Sequence, residues 1–213
     1  MTTALHEERM AAVLATVAEM GARTVLDLGC GDGDLILRLA TMPGITRITG
    51  IEIGMARLRG AEARLAALPE ASRSRVQLAC ASLTEGHPAL TGYDCACLVE
   101  VIEHLPPADI NRLERAVFTR MRPAHVIVTT PNAEYNPVLG VPASRMRHPE
   151  HQFEWDRARF ARWAGGVAAR TGYDVACRDI CGAHPQLGGA SQMAVFSRLD
   201  ARGERNRVPA TPA

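Results

Sequence analysis

The chain has 213 residues, of which 47% are hydrophobic and 22% are charged, values typical of one globular domain. Its 24 basic residues, all of them arginines, nearly balance 23 acidic residues, for a net charge of +1. This balance excludes a polybasic tail that drives nucleic-acid binding, and the lack of lysine excludes a lysine nucleophile, a Schiff base and a P-loop lysine.

The first half of the chain predicts strands that alternate with helices. An amphipathic helix is predicted over residues 1–21, and a strand over residues 23–28 runs directly into a glycine-rich turn. The predicted elements that follow are a helix over 34–40, a strand over 47–53, a helix over 56–68, and strands over 76–79 and 93–99. This alternation is typical of a mostly parallel sheet with helices on both faces.

The second half continues the alternation around one long irregular segment. The predicted elements are a helix over 107–121, a strand over 124–130, a helix over 156–169 with Asp156 as its N-cap, and strands over 175–180 and 192–197. Residues 131–155 carry prolines, asparagines and histidines without a period, which is typical of a functional loop or of disorder. We expect one domain over residues 1–199, an active-site loop at about 131–155, and a disordered tail over 200–213.

The sequence was also searched for the patterns of a secretory signal peptide and of a membrane span. The N-terminal residues are charged where a signal peptide needs an apolar run, and no apolar run reaches the roughly 18 residues of a membrane span. The six cysteines include no C-x-x-C pair, which favours reduced, buried thiols over a thiolate zinc site. We therefore expect a cytoplasmic protein that does not bind membranes.

The glycine-rich turn predicts a cofactor site. Gly29-Cys-Gly-Asp-Gly33 allows a sharp turn and close approach to a ligand, but its third glycine comes one position earlier than the dinucleotide pattern requires. Asp27 would repel a pyrophosphate and suits a cationic ligand such as S-adenosylmethionine, while Glu52 ends the next strand where a carboxylate accepts ribose hydroxyls. The predicted cofactor-binding residues are Asp27, Gly29, Gly31, Gly33, Glu52, and, at the adenine, Ser82 and Leu83.

A second group of polar residues follows the strand over 93–99. Glu100, Glu103 and His104 share one face of a helical turn, so all three can point at one ion. The loop over 131–155 follows a neighbouring strand and brings His148 and His151 to the same sheet edge, because ligands of such sheets bind beyond the carboxyl ends of the strands. Carboxylates with imidazoles suit a divalent ion such as Mg²⁺ or Mn²⁺. Each residue alone also fits a structural role, such as capping the next helix.

Six sequence motifs together resemble the Hua-enhancer family of small-RNA methyltransferases, over roughly residues 20–198. They are Asp27-Leu-Gly-Cys-Gly-Asp-Gly33, Ser82-Leu-Thr84, Val99-Glu-Val-Ile-Glu-His-Leu105, Thr130-Pro-Asn-Ala-Glu-Tyr-Asn136, Arg147-His-Pro-Glu-His-Gln-Phe-Glu-Trp155 and Ser191-Gln-Met-Ala-Val-Phe196. The glycine motif is common to many methyltransferases, whereas the others in combination are specific. The resemblance implies an α/β, Rossmann-like class I S-adenosylmethionine-dependent methyltransferase with a seven-stranded, mostly parallel sheet.

The resemblance also implies a reaction and its residues. The expected activity is metal-dependent methylation of the 2′-hydroxyl at the 3′-terminal ribose of RNA, with an RNA end-healing and ligation partner. It implies Glu100, Glu103, His104 and His151 as ligands of Mg²⁺ or Mn²⁺. The RNA end needs free 2′- and 3′-hydroxyls, because that diol chelates the ion.

Further residues are predicted at the same edge for catalysis and RNA binding. His148 or His151 is predicted to accept the proton, with Glu100 beside them, and His148 has a supporting or loop-capping role as its alternative. The predicted substrate contacts are Asn132, Tyr135, Asn136 and Arg147, with binding to the loop backbone as the alternative for the two asparagines. The arginines around the loop are candidate phosphate contacts, or in part solvated helix residues: Arg145, Arg147, Arg157, Arg159 and Arg162. For Phe153 and Trp155 we favour packing that anchors the loop over stacking on a base.

Two other functions use the same features. A metal-independent small-molecule O-methyltransferase would share the glycine turn and Glu52 and use the histidines structurally. A non-catalytic RNA-binding scaffold would keep only the fold, although intact acidic residues at Asp27, Glu52 and Glu100 speak against it. Loss of activity in a chelator would distinguish a metal-dependent enzyme from the first alternative. Failure to bind cofactor would support the second alternative.

Overall fold

Seven short runs rich in branched aliphatic side chains form one sheet in the computed structural model, which describes residues 3–85 and 88–200. The strands are β1 (Thr24–Leu28), β2 (Arg47–Glu52), β3 (Val76–Cys80), β4 (Cys95–Val99), β5 (His125–Pro131), β6 (Tyr173–Ile180) and β7 (Ser191–Arg198). They lie in the order β3-β2-β1-β4-β5-β7-β6, and β7 runs antiparallel to both of its neighbours. The predicted seven-stranded, mostly parallel sheet is confirmed.

Helices cover both faces of this sheet. They are α1 (Ala4–Glu19), α2 (Asp34–Thr41), α3 (Met55–Leu65), α4 (Glu70–Arg73), α5 (Ile110–Glu114) and α6 (Arg157–Thr171). A π-helical segment, Arg115–Met121, continues α5, and 3₁₀ turns lie at Pro88–Leu90, Ile102–His104, Pro107–Asp109 and Ala133–Leu139. No helix of the described residues is long and apolar enough to cross a membrane.

Three predictions for the second half of the chain have different outcomes. The single helix predicted over 107–121 is a 3₁₀ turn, α5 and the π-helical segment in succession. The Asp156 side chain caps α6 as predicted, because it accepts a hydrogen bond from the backbone N–H of Arg159 at 2.6 Å. The predicted disordered tail lies outside the described residues, apart from Asp200.

The core has two layers because the central strands are buried on both faces. Leu26 packs with Phe118 and Phe160 on the side of α5 and α6, whereas its neighbour Val25 packs with Ile36 on the side of α2. Alternate side chains of a strand point to opposite faces, so one hydrophobic run supplies both layers. A polar residue within such a run is therefore forced into the interior.

The strand order also fixes where a ligand can bind. The chain places β2 on one side of β1 and then crosses to place β4 on the other side. This reversal opens a crevice at the carboxyl ends of β1 and β4, as is usual for ligand sites in open α/β sheets. The glycine-rich turn after β1 and Glu100 after β4 lie at this crevice.

Candidate active site

A cavity of about 240 Å³ occupies the crevice between the carboxyl ends of β1, β2 and β4. Among its lining residues are four predicted cofactor-binding residues and two predicted metal ligands: Gly29, Glu52, Ser82, Leu83, Glu100 and His104. The two predicted groups therefore share one space. Gly31 and Gly33 belong to the same turn as Gly29 but lie outside the lining of this cavity.

The glycine-rich turn needs glycine for its conformation and its packing. Gly29, Gly31 and Gly33 all have positive φ, at 82°, 51° and 82°. A Cβ at Gly29 would lie 2.7 Å from a methyl group of Val101, whereas a Cβ at Gly31 would meet nothing within 4 Å. Gly29 thus allows the turn after β1 to pack directly against the segment after β4.

Glu52 holds the turn and still faces the cavity. Its carboxylate is buried and accepts hydrogen bonds from the backbone N–H groups of Gly31, at 3.0 Å, and Gly54, at 2.7 Å. An ionised carboxylate has about four acceptor sites. Glu52 therefore retains acceptor capacity toward the cavity.

Asp27 is a buried acid without a complete set of partners. It lies within β1, the residue is 3% exposed, and its Oδ2 atom has no hydrogen-bond partner in the part of the chain that the structure describes. Burial and, secondly, the charge of Glu52 raise the pKa of Asp27 to about 7. A cationic group placed nearby would favour the ionised form of this carboxyl group.

Two consecutive threonines of β5 hold the two glutamates. The Thr129 hydroxyl donates to Glu100 at 3.0 Å, and the Thr130 hydroxyl donates to Glu103 at 3.0 Å. Glu103 is fully buried, and its Oε1 atom has no hydrogen-bond partner among residues 3–85 and 88–200. Burial raises the pKa of Glu100, and burial together with Glu100 raises that of Glu103 well above its ordinary value. A cation placed nearby would therefore favour the ionised forms of Glu100 and Glu103.

Three imidazoles meet beside these glutamates. One ring nitrogen from each of His104, His148 and His151 lies within 4.8 Å of the others. Burial, and then the neighbouring His151 and His148, lower the pKa of His104, which favours the neutral imidazole that binds metal ions. The predicted set of Glu100, Glu103, His104 and His151 thus gains His148 as a neighbour, while neither glutamate belongs to the three-residue group.

Known proteins with this arrangement identify the family. The sequence matches a methyltransferase-domain family over residues 26–124. The crystal structure of the methyltransferase domain of bacterial CtHen1-C is 37% identical and superposes with a TM-score of 0.83, over 91% of this chain and 98% of that chain. The chain belongs to the Hen1 family of small-RNA methyltransferases. The class I methyltransferase fold implied by the motifs is confirmed.

Longer members of the Hen1 family match over part of their length. The crystal structure of small RNA methyltransferase HEN1 is 30% identical, with a TM-score of 0.83, over 94% of this chain and 27% of that chain. A small RNA 2′-O-methyltransferase of Gallus gallus is 34% identical over 92% of this chain and 54% of that protein. The chain therefore spans about half the length of the curated relatives it matches.

The last carboxylate of the loop, Glu154, organises this Hen1 site and escaped the sequence analysis. It accepts hydrogen bonds from the Asn136 amide at 2.6 Å and from the Arg147 backbone N–H at 2.7 Å, and its Oε1 atom lies 2.6 Å from Nδ1 of His151. The His151 contact fixes the ring and leaves Nε2 as its second nitrogen. The motif H-x-F-E-W contains Glu154, so the spacing of His151 and Glu154 was the available signal.

The predicted substrate residues build the loop. Asn132 is fully buried, and its amide group bonds to the carbonyl oxygens of Leu187 and Gly189 and to the N–H of Glu134, so its side chain supports the loop instead of facing a ligand. The Arg147 guanidinium donates to Asn136 and to backbone carbonyl oxygens. Tyr135 is half-buried against the core.

Arg9 is the other residue that the sequence analysis missed. It projects from α1 and forms an ion pair with Glu100 at 3.1 Å, and it also donates to the Ser191 hydroxyl at 3.2 Å. Its position in an amphipathic helix gave no signal of this contact. The N-terminal helix therefore takes part in the Hen1 site.

The aromatic residues of the loop are anchors, as expected. Phe153 and Trp155 are 9% and 6% exposed, and their rings stack with centroids 4.5 Å apart. The backbone N–H of Gln152 donates to the carbonyl oxygen of Glu103 at 2.7 Å. These contacts dock the histidine-bearing segment onto the turn that carries Glu103 and His104.

Proposed function

We propose that this chain transfers a methyl group from S-adenosylmethionine to the 2′-hydroxyl of the 3′-terminal ribose of RNA, and that it holds Mg²⁺ or Mn²⁺ for this reaction. One observation carries the proposal: four residues expected to bind cofactor and two expected to bind metal line the same cavity of about 240 Å³, namely Gly29, Glu52, Ser82 and Leu83, with Glu100 and His104. Membership of the Hen1 family supports the choice of RNA as the acceptor.

The cofactor half of the cavity suits a ligand with a cationic group and a ribose. S-adenosylmethionine, when bound, supplies an electrophilic methyl group on its sulfonium. Asp27 would hold the cationic amino-acid end through its unpartnered oxygen, and Glu52 would accept the ribose hydroxyls. Ser82 and Leu83 would border the adenine.

The metal half of the cavity fits a divalent cation. Its donors are carboxylates and imidazoles. Glu103 has a buried oxygen without a hydrogen-bond partner among the described residues, and burial lowers the pKa of His104, which favours its neutral form. We propose Glu100, Glu103, His104 and His151 as ligands. A divalent ion, when bound, supplies Lewis-acid chemistry that lowers the pKa of a coordinated hydroxyl group.

His148 is our choice as the proton acceptor. It is the exposed member of the three imidazoles, and its Nδ1 atom accepts a hydrogen bond from the backbone N–H of Glu150 at 3.2 Å. A neutral ring that accepts at Nδ1 carries its hydrogen on Nε2, so His148 would take the proton of the 2′-hydroxyl on Nδ1 once the Glu150 contact opens, or on Nε2 after a change of tautomer. His151 is the second choice: Glu154 accepts from its Nδ1–H and leaves Nε2 as an acceptor, but we propose that His151 binds the metal ion.

We propose direct RNA contact for fewer loop residues than the sequence predicted. Tyr135 would contact the terminal nucleotide, while Asn136 and Arg147 would act as positioning residues through Glu154. The structure of a Pnkp1/Rnl/Hen1 RNA repair complex is 20% identical and supports only the shared fold. An end-healing and ligation partner and a cytoplasmic location stay predictions.

Methyl transfer to short RNAs with defined ends tests the proposal. Labelled S-adenosylmethionine would be incubated with RNAs that end in a 2′,3′-diol, a 2′-deoxyribose or a 3′-phosphate, with Mn²⁺ or with a chelator. We expect label on the diol end alone and only with metal. Labelling in chelator, or of the 2′-deoxy end, would contradict the proposed mechanism, and failure to bind cofactor would favour a scaffold.

A further inference from the structure

A groove separate from the cofactor cavity runs between α5 and α6. It has a volume of about 650 Å³, and we call it the α5–α6 groove. The polar and aromatic residues that define it are Asn111, Glu114, Arg159, Arg162, Trp163 and Arg170. Three positive charges face one negative charge there, so the groove is basic although the whole chain is nearly neutral.

Two of its arginines are held in place by neighbouring groups. Arg170 donates to Glu114 at 2.8 Å, and the buried Glu114 carboxylate also accepts from the Trp163 indole at 2.8 Å. The Arg159 guanidinium lies over the ring of Trp155, 5.4 Å from its centroid. Arg162 is exposed and has no ion pair or side-chain hydrogen bond within residues 3–85 and 88–200. The guanidinium groups of Arg159 and Arg162 therefore keep donors for a ligand.

The groove continues from the active site along two segments of the chain. Phe153 borders the groove and is two residues from His151, and Pro107 borders it two residues after Leu105 of the cofactor cavity. The hydrogen bond from Gln152 to Glu103 holds these two segments together. A strand whose last nucleotide reached the histidines would thus have the groove beside its preceding nucleotides.

We propose that the α5–α6 groove binds the phosphate backbone of the RNA segment that precedes the 3′-terminal nucleotide. Arginine recognises phosphate through paired N–H donors. Phe153 and Trp155 border the groove but are at most 9% exposed, so neither offers a free face on which a base could stack. Contacts to the backbone alone carry no sequence information, which fits an enzyme that reads the end of an RNA. This inference rests on the proposed function, since it takes RNA as the substrate.

RNA affinity as a function of salt and length tests the groove without requiring catalysis. The double variant R159A/R162A would be compared with R59A/R73A, which also removes two positive charges but at exposed positions on α3 and α4. Fluorescence anisotropy would measure binding of a labelled dinucleotide and of a single-stranded RNA of about 12 nucleotides. We expect the longer RNA to bind the unmodified protein more tightly than the dinucleotide does.

The expected loss is specific in size and in salt dependence. R159A/R162A should bind the longer RNA about 10-fold more weakly and lose most of its preference for length, and its slope of log affinity against log salt should fall by about 1.4, since each single-strand phosphate contact contributes about 0.7. R59A/R73A should match the unmodified protein. Equal affinity and equal slope for the two double variants would contradict the proposal that the α5–α6 groove binds RNA. Normal RNA binding without methyl transfer would instead contradict the proposed function.

Discussion

Asp27 shows how one buried acid ties cofactor binding to pH. Its folded pKa of about 7 exceeds the model-peptide value of 3.8, so the folded, cofactor-free protein binds the proton more tightly than the unfolded chain does. Stability from this group is complete below about pH 4 and is lost as the pH rises through about 7. A cationic ligand reverses the preference, because it favours the ionised carboxylate.

Replacing Asp27 with asparagine should therefore separate stability from binding. We expect D27N to raise the free energy of unfolding of the cofactor-free protein at pH 8, by on the order of 2–4 kcal/mol, with a smaller gain at pH 5. In the unmodified protein, S-adenosylmethionine affinity should rise between pH 6 and pH 8 as Asp27 ionises. The same change should abolish this rise. Urea unfolding and calorimetric binding at these pH values measure both effects.

The matched control is D32N, which makes the same replacement at an exposed position of the same turn. Its unfolding and binding should keep the pH dependence of the unmodified protein. A D27N protein whose cofactor affinity still rose between pH 6 and pH 8 would remove Asp27 from the cofactor site.

Glu154 illustrates a residue that acts through another. Its contact with Nδ1 of His151 orients a proposed metal ligand, and replacement of such supporting groups typically weakens metal binding by about 10- to 100-fold. We expect E154Q to lower Mn²⁺ affinity by this amount, as measured by calorimetry in the absence of RNA. E150Q changes an exposed carboxylate of the same loop and should bind Mn²⁺ normally. Equal affinity in the two variants would limit Glu154 to holding the loop.

The glycine-rich turn carries the next prediction, at the scale of an element. G29A adds strain at positive φ and a contact of 2.7 Å with Val101, whereas G31A adds strain at positive φ alone. We expect G29A to lower the free energy of unfolding by about 2–4 kcal/mol and G31A by about 1–2 kcal/mol. Denaturant unfolding in the absence of cofactor measures both values. A G31A protein as unstable as G29A would mean that conformation, not packing against the segment after β4, decides the cost.

Regular elements were predictable from sequence because their signals are local. The hydrophobic run of β1 and the Asp156 cap of α6 act within a few residues, and both are where the pattern predicted. The loop over 131–155 was predicted as part of the active site, but its conformation was not. Its order comes from contacts between distant segments, such as Arg147 with the carbonyl oxygen of Ala190, and no local pattern encodes them. For the same reason the sequence left two roles open for Asn132, and its contacts with Leu187 and Gly189 decide for the loop backbone.

At the scale of the whole molecule, α1 connects parts of the site that lie far apart in sequence. Glu7 pairs with Arg38 of α2, and Glu8 accepts a hydrogen bond from the backbone N–H of Gly182 at 2.8 Å, just beyond β6. Arg9, the next residue, reaches Glu100 at the end of β4. Three consecutive side chains thus fasten α1 to three segments. Sequence alone could not reveal the contact of Arg9, because it depends on how α1 docks against the sheet.

The ion pair between Arg9 and Glu100 provides positive charge to two buried carboxyl groups. The pair is 14% and 18% exposed, so removing the arginine leaves acidic groups with little solvent to compensate them. We expect R9M to lower the free energy of unfolding of the metal-free protein by about 3 kcal/mol, with R9K intermediate. If the glutamates hold a divalent ion, Mn²⁺ should then raise the melting temperature more in R9M than in the unmodified protein, because the ion replaces the missing charge. R38M breaks a more exposed pair of the same helix and should have a smaller effect on both measurements. Equal responses of R9M and R38M to chelator and to Mn²⁺ would show that Arg9 only attaches α1 to the sheet.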